Sequence, residues 1–482
     1  MNTVLLCLYF LSLLGLVIFG MHRYLLIYYY KKYKKIKPES KPLTEPYPVV
    51  TIQLPIYNEI NVVRRLIENI TKMDYPKDRL EIQVLDDSTD ETQKVTYDTV
   101  EKYKKEGLNI LYVHRDNRDG FKAGALQNGI KTAKGEFLAI FDADFVPQPD
   151  FLKKLLPYFS SDKVGMVQAR WGYTNRKYSL LTKVQAVILD GHFLIEHTAR
   201  NRSGRFFNFN GTAGIWRKKT IESVGGWHGD TLTEDMDLSY RAQLNGWKFI
   251  FIPEVVTPSE LPVDVNAFKI QQGRWAKGTI QVAKKLSGNI LKSDIPLKIK
   301  TEAIFHLLSN LCYLFLMIVS LVLLPAILVR MNLNGKDLFF FDVPIFIMGT
   351  LSIAYFYYIS QKELGYSSWD SIKYIPFLMS AGIGLAINNS KFVLEGICGQ
   401  QSEFVRTPKT GIGSNLTDLK KSYKSKKSII AYAEFLMAIY FTVLLYLTIS
   451  ARLYLTIPII LLFQAGFTYF AIASFSQSFR KK

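Results

Sequence analysis

Asp142 and Asp144 stand two apart at the end of the apolar run Phe137-Leu138-Ala139-Ile140-Phe141. Such a run has the composition of a strand, and in an extended chain a spacing of two aims both carboxylates at the same side. Two acids at the mouth of a buried strand repel unless one takes up a proton or a hard divalent cation joins them, and oxygen ligands of this kind suit Mg2+ or Mn2+. Mg2+ held by one or two carboxylates completes its shell with water and substrate phosphates, so the pair reads as a metal–diphosphate site. The motif is short, and two solvated acids after a strand are its bland alternative.

Other stretches offer matching chemistry. Asp86-Asp87-Ser88-Thr89-Asp90 presents a carboxylate, Asp87, able to accept from a base or ribose hydroxyl, although capping of a following helix by Ser88 or Asp90 is an equal use of these types. Arg115 to Leu126 is a glycine-punctuated basic turn that opens a helix, an arrangement suited to phosphate or to an exposed basic loop. Asn208-Phe209-Asn210-Gly211-Thr212-Ala213-Gly214 mixes small residues, which let a ligand approach the backbone, with aromatic rings that pack on sugars or fill a core. Glu234, Asp235 and Asp237 fall in the first turn of an expected helix, where the macrodipole alone accounts for acids. A general base beside a metal-bound substrate also has to be a carboxylate, and Asp235 is the candidate.

The elements that must carry these groups alternate. Strands are expected at 49–54, 80–85, 109–114 and 137–141, with helices near 60–71, 90–106 and 123–132, the pattern of an α/β layer on a mainly parallel sheet. Ligands in such sheets bind beyond the carboxyl ends of the strands, where Pro55-Ile56-Tyr57-Asn58-Glu59 and the stretches above all fall.

The chain has 482 residues, 14% of them aromatic, and a mean hydropathy of +0.08, which points to a large water-facing domain joined to segments that sit in lipid. Its formal charge of +19 raises the question of nucleic acid. The basic clusters Lys31, Lys32, Lys34, Lys35, Lys37 and Lys420, Lys421, Lys424, Lys426, Lys427 flank apolar spans instead, the positive-inside pattern, so no nucleic-acid partner is expected. Cys7, Cys312 and Cys398 lie far apart and form neither a disulfide framework nor a zinc spacing. The division expected is an N-terminal transmembrane helix at 1–30, a basic, proline-rich linker at 31–48, a cytosolic domain at 49–285, and transmembrane or interfacial helices at 286–482. Spans are expected near 304–329, 339–359, 429–450 and 453–475, with 372–399 interfacial or re-entrant, since one more crossing would put lysines 420–427 outside. The N-terminus is then outside and the C-terminus inside.

In order along residues 49–285, the motifs resemble those of membrane-integrated processive β-glycosyltransferases of glycosyltransferase family 2, in the cellulose synthase-like group of glucomannan, mannan and glucan synthases. They are Leu85–Asp90, Asp116-Asn117-Arg118 with Lys122–Leu126, Ile140–Phe145, Gln168–Trp171, Phe209–Gly214, Thr233–Leu238 and Gln271–Trp275. The resemblance implies a GT-A nucleotide-sugar domain and an inverting hexosyl transfer from UDP-glucose or GDP-mannose to a growing polysaccharide that leaves through the lipid bilayer. It places Tyr57, Glu59, Asp87, Lys122 and Arg274 on the nucleotide sugar, Asp142 and Asp144 on Mg2+ or Mn2+, and Asp235 as base. Phe209, Asn210, Gly211, Thr212, Gln271 and Trp275 would hold the acceptor. Asn210 stands where cellulose synthases carry cysteine, which favours the mannan-type group. Phe404-Val405-Arg406-Thr407-Pro408-Lys409 resembles the Phe-x-Val-Thr-x-Lys gating loop of cellulose synthases, with Arg406 and Pro408 intruding, which implies that Phe404, Thr407 and Lys409, within a loop at 402–413, close over the nucleotide.

Two other readings use the same residues. A single-transfer enzyme glycosylating a membrane lipid shares the metal and the base but needs no polymer channel. A catalytically silent transporter or scaffold needs neither. Donor sugar, linkage and accessory subunits are not written in these motifs.

Overall fold

In the computed structural model, residues 2–332, 339–400, 404–407, 409, 411 and 429–479 are described. Seven strands, β1 (Val50–Ile56), β2 (Leu80–Asp86), β3 (Ile110–His114), β4 (Phe137–Ile140), β5 (Val164–Tyr173), β6 (Gly214–Arg217) and β7 (Lys248–Ser259), form one sheet in the order β3-β2-β1-β4-β6-β5-β7. The first four run parallel. β6 is antiparallel to both β4 and β5, and β7 is parallel to β5. This reversal matters for the site. It brings the start of β6, with the small-residue stretch before it, to the same edge as the carboxyl ends of the other strands.

The expected helices form as Val63–Ile70, Thr92–Lys105 and Phe121–Ile130. Val63, Leu66, Ile67 and Ile70 recur at helical spacing and pack against Ile52, Leu54 and Val84 on one face of the sheet. The other face holds Leu126, Leu138, Phe209, Trp216 and Phe251. Polar side chains between strands are paired: Thr51 donates to Glu81 (2.6 Å) and Gln53 to Gln83 (3.0 Å) across β1 and β2. Asp90 Oδ1 accepts from the Thr92 amide at the start of its helix, whereas the Ser88 hydroxyl accepts from the Asn58 amide and ties the ends of β1 and β2 together.

Among the described residues four helices are long and apolar enough to cross a membrane: Asn2–Tyr33, Leu297–Val329, Ile429–Ser450 and Tyr454–Gln477. Ser368–Gly384 and Ala386–Cys398 form a pair bent by 47°, within the stretch expected to be interfacial or re-entrant. The span expected at 339–359 lies in the helix Phe339–Glu363, which is not among the four. Its last turns are polar and lie along the N-terminal helix, where Glu363 takes Tyr30 (2.9 Å) and Lys34 (2.6 Å). Lysines 420–427 lie outside the described residues.

The long helix Val265–Lys292 joins the sheet domain to these apolar helices. Lys269, buried on it, donates to both oxygens of Glu434 (2.9 and 3.2 Å) and to Ser474 (2.9 Å), linking three helices. A buried charge without its partner is far costlier than the same volume filled by apolar atoms. Glu434→Leu is expected to destabilise the detergent-solubilised chain by about 3–5 kcal/mol, and adding Lys269→Met to recover most of that loss in a thermal-unfolding series.

Candidate active site

Along the common edge of the sheet a cleft of about 180 Å³ receives residues from every element expected to carry chemistry. Tyr57 and Glu59 follow β1, Asp87 follows β2, Arg118 and Lys122 follow β3, Asp142 and Asp144 follow β4, and Asn210 and Gly211 precede β6. Glu234 and Asp235 open the helix Glu234–Leu244, and Gln271, Arg274 and Trp275 lie on the long helix. Phe404, Arg406, Thr407 and Lys409 cover the cleft from the segment ahead of the last two apolar helices. Phe209 and Thr212 do not line it. Both are fully buried, Phe209 packing edge-on against Trp216, and Thr212 Oγ1 accepting from the Asp142 amide at 2.9 Å.

Seven carboxylates line the cleft, and in a partly dry space each needs a counter-charge. Five have one. Asp142 takes Lys122 (2.5 Å), Asp144 takes Lys409 (2.8 Å), Glu59 takes Arg406 (3.0 Å), Glu260 takes Arg65 (2.8 Å), and Asp87 is held through both oxygens by Arg115. Among the described residues no ion pair reaches Glu234 or Asp235. Burial and the neighbouring Glu234 push Asp235 up to about 7, against the pull of Lys122. Burial also raises Glu59 to about 8 despite Arg406.

Asp235 Oδ1 accepts from the Met236 amide (2.8 Å), an ordinary helix-start bond. Its Oδ2 points across the Asn210-Gly211 turn: a Cβ at Gly211, whose φ is +79°, would stand 3.1 Å from that oxygen and 3.3 Å from Lys122 Nζ. Lys122 meanwhile donates to the Gly211 carbonyl (2.8 Å). One glycine turn thus separates Asp235 from the pair formed by Lys122 and Asp142. Gly278 allows a second close approach, since a Cβ there would meet the Thr233 side chain at 2.5 Å, and this contact seats the long helix against the residue that precedes Glu234.

Asp142 and Asp144 fit a hard divalent cation. Asp142 accepts from Lys122 through Oδ1 and is about one-third exposed; buried Asp144 accepts from Lys409 and from the Glu260 amide (3.1 Å) through Oδ2. One oxygen of each carboxylate takes none of these bonds, a donor set that leaves further coordination positions to water or phosphate. The His228, Asp230 and Asp237 cluster elsewhere has metal-like spacing. Lys285 lies among all three, 3.2, 2.8 and 2.9 Å away, and serves as its cation.

Several contacts at and around the cleft are not read from the sequence. Arg406, read as an intrusion in a loop motif, is the partner of Glu59; Glu260 and Arg115 were not singled out, and Arg118 stacks on Tyr57 with its guanidinium carbon 3.4 Å from the ring centroid. Only the contact partners reveal these roles. Arg274 lies over Phe404 at 4.2 Å, so the long helix and the covering segment touch. Positions 402, 403, 408, 410, 412 and 413 of the expected loop lie outside the described residues.

Residues 47–278 match the family described as Glycosyltransferase like family 2. The chain is 45% identical over 250 residues to the "Probable glucomannan 4-beta-mannosyltransferase 7" of Oryza sativa subsp. japonica, covering 51% of this chain and 43% of that one. It is 40% identical over 268 residues to the "Glucomannan 4-beta-mannosyltransferase 7" of Arabidopsis thaliana, covering 55% and 48%. The chain therefore spans about half the length of the curated relatives it matches. In fold it is similar to a mannosyltransferase from Pyrobaculum calidifontis solved with GDP-Man and Mn2+, at 22% identity and a TM-score of 0.53, over 73% of this chain and 97% of that one.

The lysine ammonium groups on Asp142 and Asp144 compete with a divalent cation for the negative charge of the same two carboxylates. Lys409→Met should tighten Mn2+ binding to the full chain without nucleotide by roughly tenfold, read by titration calorimetry. Unchanged or weaker binding would place the cation elsewhere.

Proposed function

We propose that this chain belongs to glycosyltransferase family 2 in its cellulose synthase-like group, a reading that the family match and the relatives support, and that it transfers hexose with inversion from a nucleotide sugar to a growing β-linked polysaccharide. Mannose from GDP-mannose is the donor favoured. The names of the relatives and the Asn at position 210 support it, and UDP-glucose is the alternative a donor screen separates.

One observation carries the reading: Asp235, one of two cleft carboxylates that no ion pair reaches among the described residues, faces the same cleft as the paired Asp142 and Asp144. An inverting transfer needs a base on the attacking side and positive charge on the leaving side, with no covalent sugar intermediate. Asp235 would accept the proton of the acceptor hydroxyl as its oxygen bonds to the anomeric carbon. The bond from that carbon to the diphosphate breaks, and the electron pair leaves with the nucleoside diphosphate. Mg2+ or Mn2+ held by Asp142 and Asp144 would supply Lewis-acid stabilisation to the departing diphosphate. Lys122, Arg274 and Arg118 line the cleft as fixed cations for the same charge, and Phe404 with Arg406 closes it against water. Asp87, oriented by Arg115, would accept from the nucleoside, and Tyr57 lies under Arg118.

Trp275 and Gln271, on the helix that runs toward the apolar segments, suit the terminal sugar of the acceptor. Polymer release across a bilayer follows the same logic, because a chain of hydroxyl groups needs a protein-lined path. Product length after incubation with labelled donor separates this from transfer to a single lipid.

Asp235→Asn should lower transfer by at least about 10³-fold while nucleotide binding stays intact, and near-normal synthesis by a folded variant would remove Asp235 from the base role. The base must be ionised, so a carboxyl raised to about 7 gives a rate that falls as pH drops through that value. Lys122 holds Asp235 down. Lys122→Met should therefore move the acid limb of the pH–rate profile to higher pH, besides lowering the maximum.

A further inference from the structure

Between β5 and β6 the helix Leu180–Asp190 continues into a π-helical turn, Gly191–His197. With about 3.6 residues per turn an α-helix would set residues five apart roughly 140° apart around its axis. The wider turn brings His192 and His197 onto one side, ring centroids 4.4 Å apart, and both reach the side-chain amide of Asn210. His197 Nε2 lies 2.5 Å from Asn210 Oδ1, and Asn210 Nδ2 lies 3.1 Å from His192 Nε2.

For a neutral His192 the hydrogen bonds give one self-consistent direction to every proton. His192 Nδ1 is 3.1 Å from Glu196 Oε2. Burial opposes the charge of Glu196, but Arg200, 3.1 Å away, holds its carboxyl well below the usual range, so it only accepts. His192 Nδ1 therefore carries the proton and Nε2 accepts from the Asn210 amide, leaving Oδ1 to accept from His197 Nε2–H. A flipped amide would set oxygen against the bare His192 Nε2. His197 is fully buried, and its Nδ1 has no hydrogen-bond partner among the described residues.

Asn210 begins the turn that serves the cleft on three sides. Its amide donates to Gln168 Oε1 (3.2 Å), the Gly211 carbonyl accepts from Lys122, and the Thr212 hydroxyl accepts from the Asp142 amide. Gly211 and Ala213 both take left-handed backbone, with φ of 79° and 55°, a conformation that costs free energy at the non-glycine position and needs outside support. We propose that His192 and His197 are positioning residues for the transfer reaction: through the amide of Asn210 they lock the Asn210–Thr212 turn, and with it Lys122 and the Asp142 backbone, in reactive register.

This rests on the glycosyltransferase reading above, and the experiment separates the two. Phenylalanine keeps ring volume but removes the polar atoms, whereas glutamine can place an amide near imidazole Nε2. His192→Phe, His197→Phe, His192→Gln and His197→Gln would be made in the full chain and assayed for labelled hexose transfer and for hydrogen exchange. The Phe variants should lose roughly tenfold or more in kcat with donor KM within about twofold, and the Gln variants should recover most of it. Exchange at the Asn210 and Asp142 amides should rise roughly tenfold in the Phe variants and return toward wild type with Gln.

Phe variants with wild-type kcat and exchange, or Gln variants no better than Phe, would overturn the proposal. Should buried His197→Phe fail to fold, the half-buried His192 pair decides. A wild-type chain that transfers no sugar would sink the functional reading, while the exchange measurements would still decide the clamp.

Discussion

The structure around the cleft depends on neutralising carboxylates in a space that holds little water. Buried acids in proximity raise one another's proton affinity, and a cleft that collected seven of them would be protonated or unstable without matched cations. Those cations come from distant parts of the chain. Lys122 belongs to the helix after β3, Arg65 to the helix after β1, Arg115 to the end of β3, and Arg406 and Lys409 to a segment far toward the C-terminus. The ion pairs therefore neutralise the cleft and tie together segments that lie far apart in the chain. Glu234 and Asp235 are the two that no ion pair reaches among the described residues, and burial with an acidic neighbour raises the Asp235 carboxyl to about 7.

Rigid connections carry this arrangement toward the apolar helices. The long helix Val265–Lys292 presents Gln271, Arg274 and Trp275 to the cleft, approaches Thr233 at Gly278, and pairs Lys285 with Asp230 and with Asp237 on the helix Glu234–Leu244. Farther along the fold, Lys277 meets Glu395 at 3.0 Å and Lys269 meets Glu434. A shift of the apolar helices would thus be felt at the residues expected to hold the acceptor. The Asn210 turn is braced by the π-helical histidines, and at Gly211 it stands between Asp235 and Lys122.

Much of the cleft was legible in the sequence because strand ends in a parallel sheet share an edge. Once apolar runs such as 49–54 and 137–141 were read as strands, the polar residues after each had to gather, and Tyr57, Asp87, Lys122, Asp142 and Asp144 do line one space. Phe209 and Thr212 show the limit of such reading. Their motif belongs to the site, but the side chains point into the core, and only Thr212 acts on the cleft, through the Asp142 amide.

By itself the sequence determined local matters: which runs become strands, where acids and glycines punctuate them, and which stretches are too apolar to remain in water, because these follow from side-chain size, charge and periodicity over a few residues. Pairing was decided by tertiary structure. That Arg406 would answer Glu59, that Lys409 would reach Asp144, and that two histidines five apart would both grip Asn210 depends on chain reversal, on the antiparallel entry of β6 and on a widened helical turn. The physical reason is that charge and hydrogen-bond complementarity act over a few ångströms in space, a distance that separation along the chain does not encode.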